Sequence, residues 1–172
     1  MPNQSMTFAD LLYGCRRSAV HLEMRDAYTP DDTQFLRWKS DGKIDPSEDR
    51  WQQWMRLVRA TVGRGVPMRR ARIVSEPVTD FIRHEYDLGD AVNIPAGEQL
   101  RWLPRRQASD LALPGNDFWV FDDHLVRFGY FSGVGDYLGD ELTDDPAVIR
   151  LCLAAFDAVW ERAIDHAEYR LT

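Results

Sequence analysis

Lysine is nearly missing from this chain. Of its 21 basic residues, all but Lys39 and Lys43 are arginine. The bias reads as the codon usage of a GC-rich genome, and it leaves a surface rich in planar donors suited to carboxylate and phosphate. Positive charge is short overall as well. A formal charge of −7 over 172 residues speaks against tight, nonspecific nucleic-acid binding by the whole surface, because neutralising phosphate needs a local excess of cations. A local basic patch is compatible with that balance. Cysteine is limited to Cys15 and Cys152, which form no CxxC pair. Cys152 lies inside a helical apolar pattern and reads as a reduced core thiol rather than half of a disulfide. No run approaches the ~18 apolar residues of a membrane span, and no basic-then-apolar leader is present, so a cytoplasmic protein without a membrane partner is expected.

Complete catalytic motifs are also wanting. His84-Glu85 begins like HExxH, but position 88 is Leu88, so the second ligand on that helical face is missing. There is no GxSxG elbow and no GxxxxGK[ST] phosphate loop. Gly133-Val134-Gly135 lacks a third glycine and a following helix, and reads as a hairpin turn. Asp122-Asp123-His124 gathers acid and imidazole at a strand end. Neighbouring strand residues point to opposite faces, so the three converge on a metal only through a bulge, and a plain turn accounts for them equally well. No metal and no cofactor are expected.

What is present builds one α/β domain spanning 1–172. The length suffices for a core without staples, and 44% apolar residues exclude general disorder. Phe8 to Cys15 reads as a short helix. Val20, Leu22 and Met24 alternate with His21, Glu23 and Arg25, the period of a strand. Pro30-Asp31-Asp32 opens a helical segment that Ser40-Asp41-Gly42 breaks. Asp45-Pro46-Ser47-Glu48 predicts a capped helix with Trp51, Trp54, Met55, Val58 and Val62 on one buried stripe, ended by Gly63 and Gly65. Met68 to Val74 is a strand with Ala71 and Ile73 on one side and Arg70 and Arg72 on the other. Pro77 is expected to start a helix carrying Val78, Phe81 and Ile82. Gln99 to Leu103 and Asp117 to Phe121 are strands, Leu125 to Phe131 returns as a hairpin partner, and Tyr137 to Leu142 adds an edge. The wholly apolar run Phe118-Trp119-Val120-Phe121 fits a strand buried on both faces, in the middle of a sheet. Asp145 and Pro146 open a last helix whose stripe Val148, Cys152, Ala155, Val159 and Ala163 is widened by Leu153, Phe156, Trp160 and Ile164, with Arg150, Asp157, Glu161 and Asp165 opposite. The sum is a single-layer mixed β-sheet flanked by helices.

The arginines supply the candidate site. If the strands carrying Arg72 and Arg101 are neighbours, then Arg72, Arg101, Arg105 and Arg106 converge with Glu76, Asp110, Asn116, Asp117 and Asp122 on a charged cleft at strand ends, where open α/β sheets place ligands. An anionic small molecule or an acidic partner segment is the expected occupant. Scattered surface ion pairs, each contributing little, are the competing reading.

Three long phrases, RRARIVSEPVTDFIRHEYD, AGEQLRWLPRRQASDLALPGNDFWVFDDHLVRF and LTDDPAVIRLCLAAFDAVWERA, resemble an actinobacterial family catalogued as domain of unknown function number 6879. The resemblance runs from about Phe8 to the carboxyl terminus. It implies a companion of helix-turn-helix regulators. More distantly, the arginine-rich strand, the apolar strand closing on Asp, the hairpin and the Phe156, Trp160, Ala163 pattern resemble half of a phospholipase D-like domain. Catalytic members need His-x-Lys, yet the residues two after His21, His84, His124 and His166 are Glu23, Tyr86, Val126 and Glu168. The resemblance therefore implies a non-catalytic regulatory or effector domain acting through ligand or protein binding beside a helix-turn-helix regulator. The alternative is an enzyme acting on phosphate esters or nucleic acid through the arginine-rich cleft. Direct DNA binding is disfavoured by charge and by the lack of a recognition-helix pattern.

Overall fold

Four consecutive apolar residues at Phe118–Phe121 do become a strand buried on both faces, with neighbours on either side. The computed structural model describes residues 6–172. Its strands are β1 (Ala19–Glu23), β2 (Met68–Val74), β3 (Gln99–Pro104), β4 (Phe118–Phe121), β5 (Leu125–Phe131), β6 (Tyr137–Thr143) and β7 (Ile164–Asp165). They form one seven-stranded sheet in the order β6-β5-β4-β1-β2-β3-β7. β1, β2 and β3 are parallel, and the remaining pairings are antiparallel. The parallel strands need crossovers, which α2 (Thr33–Asp41) and α3 (Asp49–Gly63) supply between β1 and β2, and α4 (Asp80–Leu88) between β2 and β3. α1 (Phe8–Gly14) precedes β1. A π-helical turn over Gly89–Asn93 and the short α5 (Ile94–Ala96) follow α4, and α6 (Pro146–Arg162) follows the antiparallel strands.

Alternation within the strands divides the core into two layers. Val20, Leu22, Ala71, Ile73, Phe118 and Val120 meet α6 through its buried Cys152, Ala155, Phe156 and Val159. On the opposite face Ala19, Met68, Trp119 and Phe121 meet α1 and α3. Each fully buried large apolar side chain in these layers stabilises by about 1.5–3 kcal/mol. Cys15 and Cys152 are both buried free thiols.

Helix boundaries hold three corrections. α3 starts at Asp49 with Glu48 at its N-cap, not at Asp45. Asp45 is satisfied locally instead, accepting from Ser47 N at 2.9 Å and Ser47 Oγ at 2.6 Å, a turn that competes with helix capping. α4 starts at Asp80 rather than at Pro77, because Thr79 provides the cap by accepting from Ile82 N at 3.2 Å. α6 is capped by Asp145 as the sequence predicts, but it ends at Arg162. Ile164 and Asp165 leave the helix to pair with β3.

One glycine is fixed by a close approach. A Cβ on Gly89 would stand 2.7 Å from His166 Cε1, so the π-helical turn can pass beneath that ring only as glycine.

Candidate functional site

Parity decides which arginines meet. In the β2–β3 register Ala71 is opposite Arg101 and Arg72 is opposite Trp102. Arg101 therefore shares a face with Ala71 and α6, whereas Arg72 projects from the other side. Arg101 donates to the Trp160 carbonyl at 2.8 Å, with its guanidinium 4.5 Å from the Trp160 ring centre.

The other expected site residues disperse too. Arg105 lies across the carboxyl ends of the parallel strands. It donates to Ser75 Oγ at 2.9 Å, the Met24 carbonyl at 2.6 Å and the Ile73 carbonyl at 3.2 Å, with Asp26 at 3.4 Å. Arg106 is exposed, and among the described residues its side chain makes no hydrogen bond. Glu76 accepts from the Tyr169 hydroxyl at 2.9 Å. Asp110 takes Arg162 in a two-pronged pair at 2.6 and 3.0 Å on the surface. Asn116 is exposed beside the buried Asp117. Asp122 sits in the β4–β5 turn with φ 53° and accepts from the backbone N–H groups of Arg16, Arg17 and Ser18 and from the Cys15 thiol. Burial opposes the charge on Asp122, and those donors outweigh it, holding the carboxyl at about 2. The expected single cleft of Arg72, Arg101, Arg105 and Arg106 is thus not formed. Three of the four serve different parts of the scaffold.

Arg72 does enter a cleft, in different company. On the face away from α6, α3 and α4 stand apart over β1 and β2 and leave a cavity of about 740 Å³. Its floor is Glu23, Arg70 and Arg72, all at the same strand parity, with Glu23 opposite Arg72 in the β1–β2 register. α4 contributes Phe81, His84, Glu85 and Leu88, the π-helical turn adds Val92 and Asn93, and α3 contributes Trp51 and Trp54. At the rim Arg50 pairs with Asp32 at 2.6 Å and lies over Trp51, and Arg56 is exposed to solvent. Trp54 was expected in the core. It is half-buried here and donates to Glu98 at 3.2 Å, because the α3 stripe partly overhangs the cavity rather than the sheet.

The floor is an ion chain. Arg70 donates to Glu98 at 3.0 Å and to Glu23 at 3.1 Å. Arg72 lies 3.1 Å from the other Glu23 oxygen and donates to Glu85. Asn93 and Trp54 complete the shell of Glu98. Burial works against the Glu23 charge, and Arg72 and Arg70 overcome it, leaving that carboxyl at about 2. His84 is enclosed by Phe35, Trp38 and Phe81 at 5.5, 5.5 and 5.8 Å, and neither ring nitrogen has a hydrogen-bond partner. Burial lowers its pKa, so it is neutral at pH 7. His21 stacks on Trp119 at 4.2 Å, and burial likewise holds its pKa well below the ordinary histidine value.

A smaller hollow of about 160 Å³ adjoins the cleft through Glu23 and Tyr28. There Asp117 accepts from Met24 N at 2.8 Å and from the Tyr28 hydroxyl, and burial raises its carboxyl to about 6. Among the described residues no group of three or more His, Cys, Asp and Glu side chains is placed to hold a metal ion, and no helix is long and apolar enough to cross a membrane.

Family membership follows from a match over nearly the whole described chain, residues 6–171, to the family described as "Domain of unknown function (DUF6879)". The chain belongs to this family. A search of curated proteins gave no match. Among solved structures, the DUF6879 domain is similar to a phospholipase D family member, Nuc from Salmonella typhimurium. The TM-score is 0.52 and the identity 13%, over 94% of this chain and 88% of that one. The likeness establishes a phospholipase D-like α/β fold. At the level of fold this bears out the distant phospholipase D-like resemblance read from the sequence.

The sequence had isolated Arg70, Arg72, His84 and Glu85 without joining them, and it had passed over Glu23 as one half of an alternation. The usable signal was parity. His21 and Glu23 sit opposite Val20 and Leu22 as Arg70 and Arg72 sit opposite Ala71 and Ile73, so two neighbouring parallel strands would put acid beside base on one face.

Proposed function

We propose that this DUF6879 domain is a single, non-catalytic regulatory unit that binds a small molecule in the cleft between α3, α4 and the sheet, and communicates its occupancy to a helix-turn-helix regulator. The observation that carries the reading is the cleft itself. Its volume falls in the range of small-ligand sites, its walls are aromatic, and a few polar groups converge on its floor. Among the described residues the lining holds no Lys, Ser or Cys. Its floor arginines, Arg70 and Arg72, are already committed to carboxylates, and its one histidine is neutral with no polar partner to orient it. Nothing there supplies an activated nucleophile, which favours recognition over turnover. Arg50 and Arg56 give the rim a place for an anionic group of the ligand.

The test is affinity isolation of the tagged protein from its own cells, with protein and small-molecule fractions identified. The reading predicts a helix-turn-helix protein among the partners and a small molecule released on denaturation. Steady hydrolysis of bis(p-nitrophenyl) phosphate, abolished by Arg72→Ala, would count against it.

A further inference from the structure

The floor of the cleft leaves more donors open than acceptors. Arg70 uses Nε on Glu98 and Nη1 on Glu23, and Arg72 turns Nη1 to Glu85 and Glu23. Among the described residues, Nη2 of each guanidinium makes no hydrogen bond. Both side chains are nine-tenths buried or more, and both belong to the floor. Arg72 Nε is sealed off by the surrounding protein, whereas the two Nη2 groups open on the cleft.

The acceptors are mostly spent or closed. Glu23 Oε2, Asn93 Oδ1 and both His84 nitrogens lack partners but are shut away from any occupant. Both Asp32 oxygens are taken, by Arg50 and by the first backbone N–H groups of α2. Among the described residues that leaves Glu85 Oε1 as the one carboxylate oxygen of the lining both open and without a hydrogen bond. Buried donors without acceptors are costly, so an occupant that brings an acceptor to Arg70 and Arg72 is favoured.

The lining charges pair off with one remainder. Arg50 is matched by Asp32, Arg70 by Glu23 and Arg72 by Glu85. Glu98, which also takes Arg70, does not line the cleft, and its oxygens are satisfied within the wall by Arg70, Trp54 and Asn93. Arg56 is left over at the rim, exposed and with no ion pair among the described residues. The same lining includes Trp51, Trp54, Tyr28 and Phe81, whose rings suit a flat apolar body.

We infer that the cleft takes a flat aromatic acid bearing a ring carbonyl, with the carbonyl accepting from Nη2 of Arg70 and Arg72 and the acidic group at Arg56. This rests on the ligand-binding reading above and narrows it to a chemical class. Glu23 is the positioning residue of that floor. It holds both guanidinium groups by Nη1, each at 3.1 Å, and leaves both Nη2 groups for the carbonyl.

The test uses four bicyclic probes of similar size. Chromone-2-carboxylate carries ring carbonyl and acid, chromone the carbonyl alone, 2-naphthoate the acid alone, and 2-naphthylmethylamine a positive charge. Binding to the native state alone raises the melting temperature, here by roughly 2–4 °C at millimolar probe. Chromone-2-carboxylate should give that shift, chromone and 2-naphthoate less than half of it, and the amine none. Arg56→Ala should reduce the chromone-2-carboxylate shift to that of chromone and leave chromone unchanged. Arg72→Lys keeps a positive charge between Glu23 and Glu85 but lacks the forked second donor. It should lose at least half of the chromone-2-carboxylate shift and keep that of 2-naphthoate. Equal or stronger binding of chromone, 2-naphthoate or the amine overturns the inference, as does a full chromone-2-carboxylate shift in Arg56→Ala or in a folded Arg72→Lys. A shift from the amine alone overturns the class but leaves the ligand-binding reading standing. Silence from all four probes overturns the class as well. Should Arg72→Lys fail to fold, the wild-type panel and Arg56→Ala decide the matter.

Discussion

Arg70 donates through Nε to Glu98 at 3.0 Å, and both side chains are almost wholly removed from water. A pair in that position is weak evidence for added stability but strong evidence for mutual dependence, because neither charge is tolerable alone. Arg70→Ala leaves Glu98 and Glu23 buried without their guanidinium and should cost ~3–5 kcal/mol. Urea unfolding followed by far-ultraviolet circular dichroism measures it. A loss under 1 kcal/mol would mean that the floor is wetter than the structure describes.

Arg105 and Arg106 should separate cleanly. Arg105 ties the ends of β1 and β2 through Met24, Ile73 and Ser75, so Arg105→Ala should destabilise by about 1–3 kcal/mol. Arg106→Ala, at an exposed side chain, should fall within roughly 0.5 kcal/mol of the wild type. The sequence suggested that both would recognise a ligand. Thermal melts of the two variants distinguish a scaffold role from a free one.

Buried carboxyl groups should contribute opposite pH slopes to stability in two windows. Asp117 is raised by burial to about 6 from 3.8, so the native state holds its proton more tightly than the unfolded chain. Its contribution is complete below pH ~4 and is lost as pH rises toward 6. Glu23 and Asp122, held at about 2, contribute above pH ~4 and lose that contribution as pH falls toward 2. His21 and His84, whose pKa values burial lowers, make stability rise with pH over the same upper window, so the Asp117 contribution is read from urea midpoints of the wild type beside Asp117→Asn: the wild type should gain on the variant as pH falls from 7 to 4. A difference that stays constant over that range would show that Asp117 is not buried as described.

Both thiols should be inert while the protein is folded. Cys15 donates to the Ser18 carbonyl and to Asp122, and burial, with Asp122 beside it, pushes the thiol to about 11. Burial alone takes Cys152 to about 11. The thiolate is the reactive species, so DTNB at pH 8 should label neither in the native state and both in denaturant. Rapid native labelling of Cys15 would place the α1–β1 turn in the open.

Local signals made much of this fold legible. An uninterrupted apolar run marked β4, an Asp-Pro start marked α6, and strict alternation marked β1 and β2. The site was less so, because its geometry depends on which strands adjoin and in what register. Arg72 and Arg101 both sit on strands that do turn out to be neighbours, yet a register offset of one residue sends them to opposite faces. Glu23 lies far from Arg70 and Arg72 in the chain and meets them only because β1 and β2 are parallel and paired Glu23 to Arg72. Glu98, held by Asn93, reaches Arg70 because of the π-helical turn and α5 that precede it, and nothing in the sequence announced that extra helical residue. Asp45 met every local rule for a helix cap and lost to its own turn.

The central claim is that the cleft over β1 and β2 is occupied in the cell and does no chemistry of its own. Native mass spectrometry of protein taken from its own cells tests this directly, with the wild type beside Leu57→Trp, which enlarges a lining side chain of the cleft. The account predicts a small-molecule adduct on the wild type and none on an equally stable Leu57→Trp. An adduct retained by the narrowed variant, or none on either protein, would contradict it.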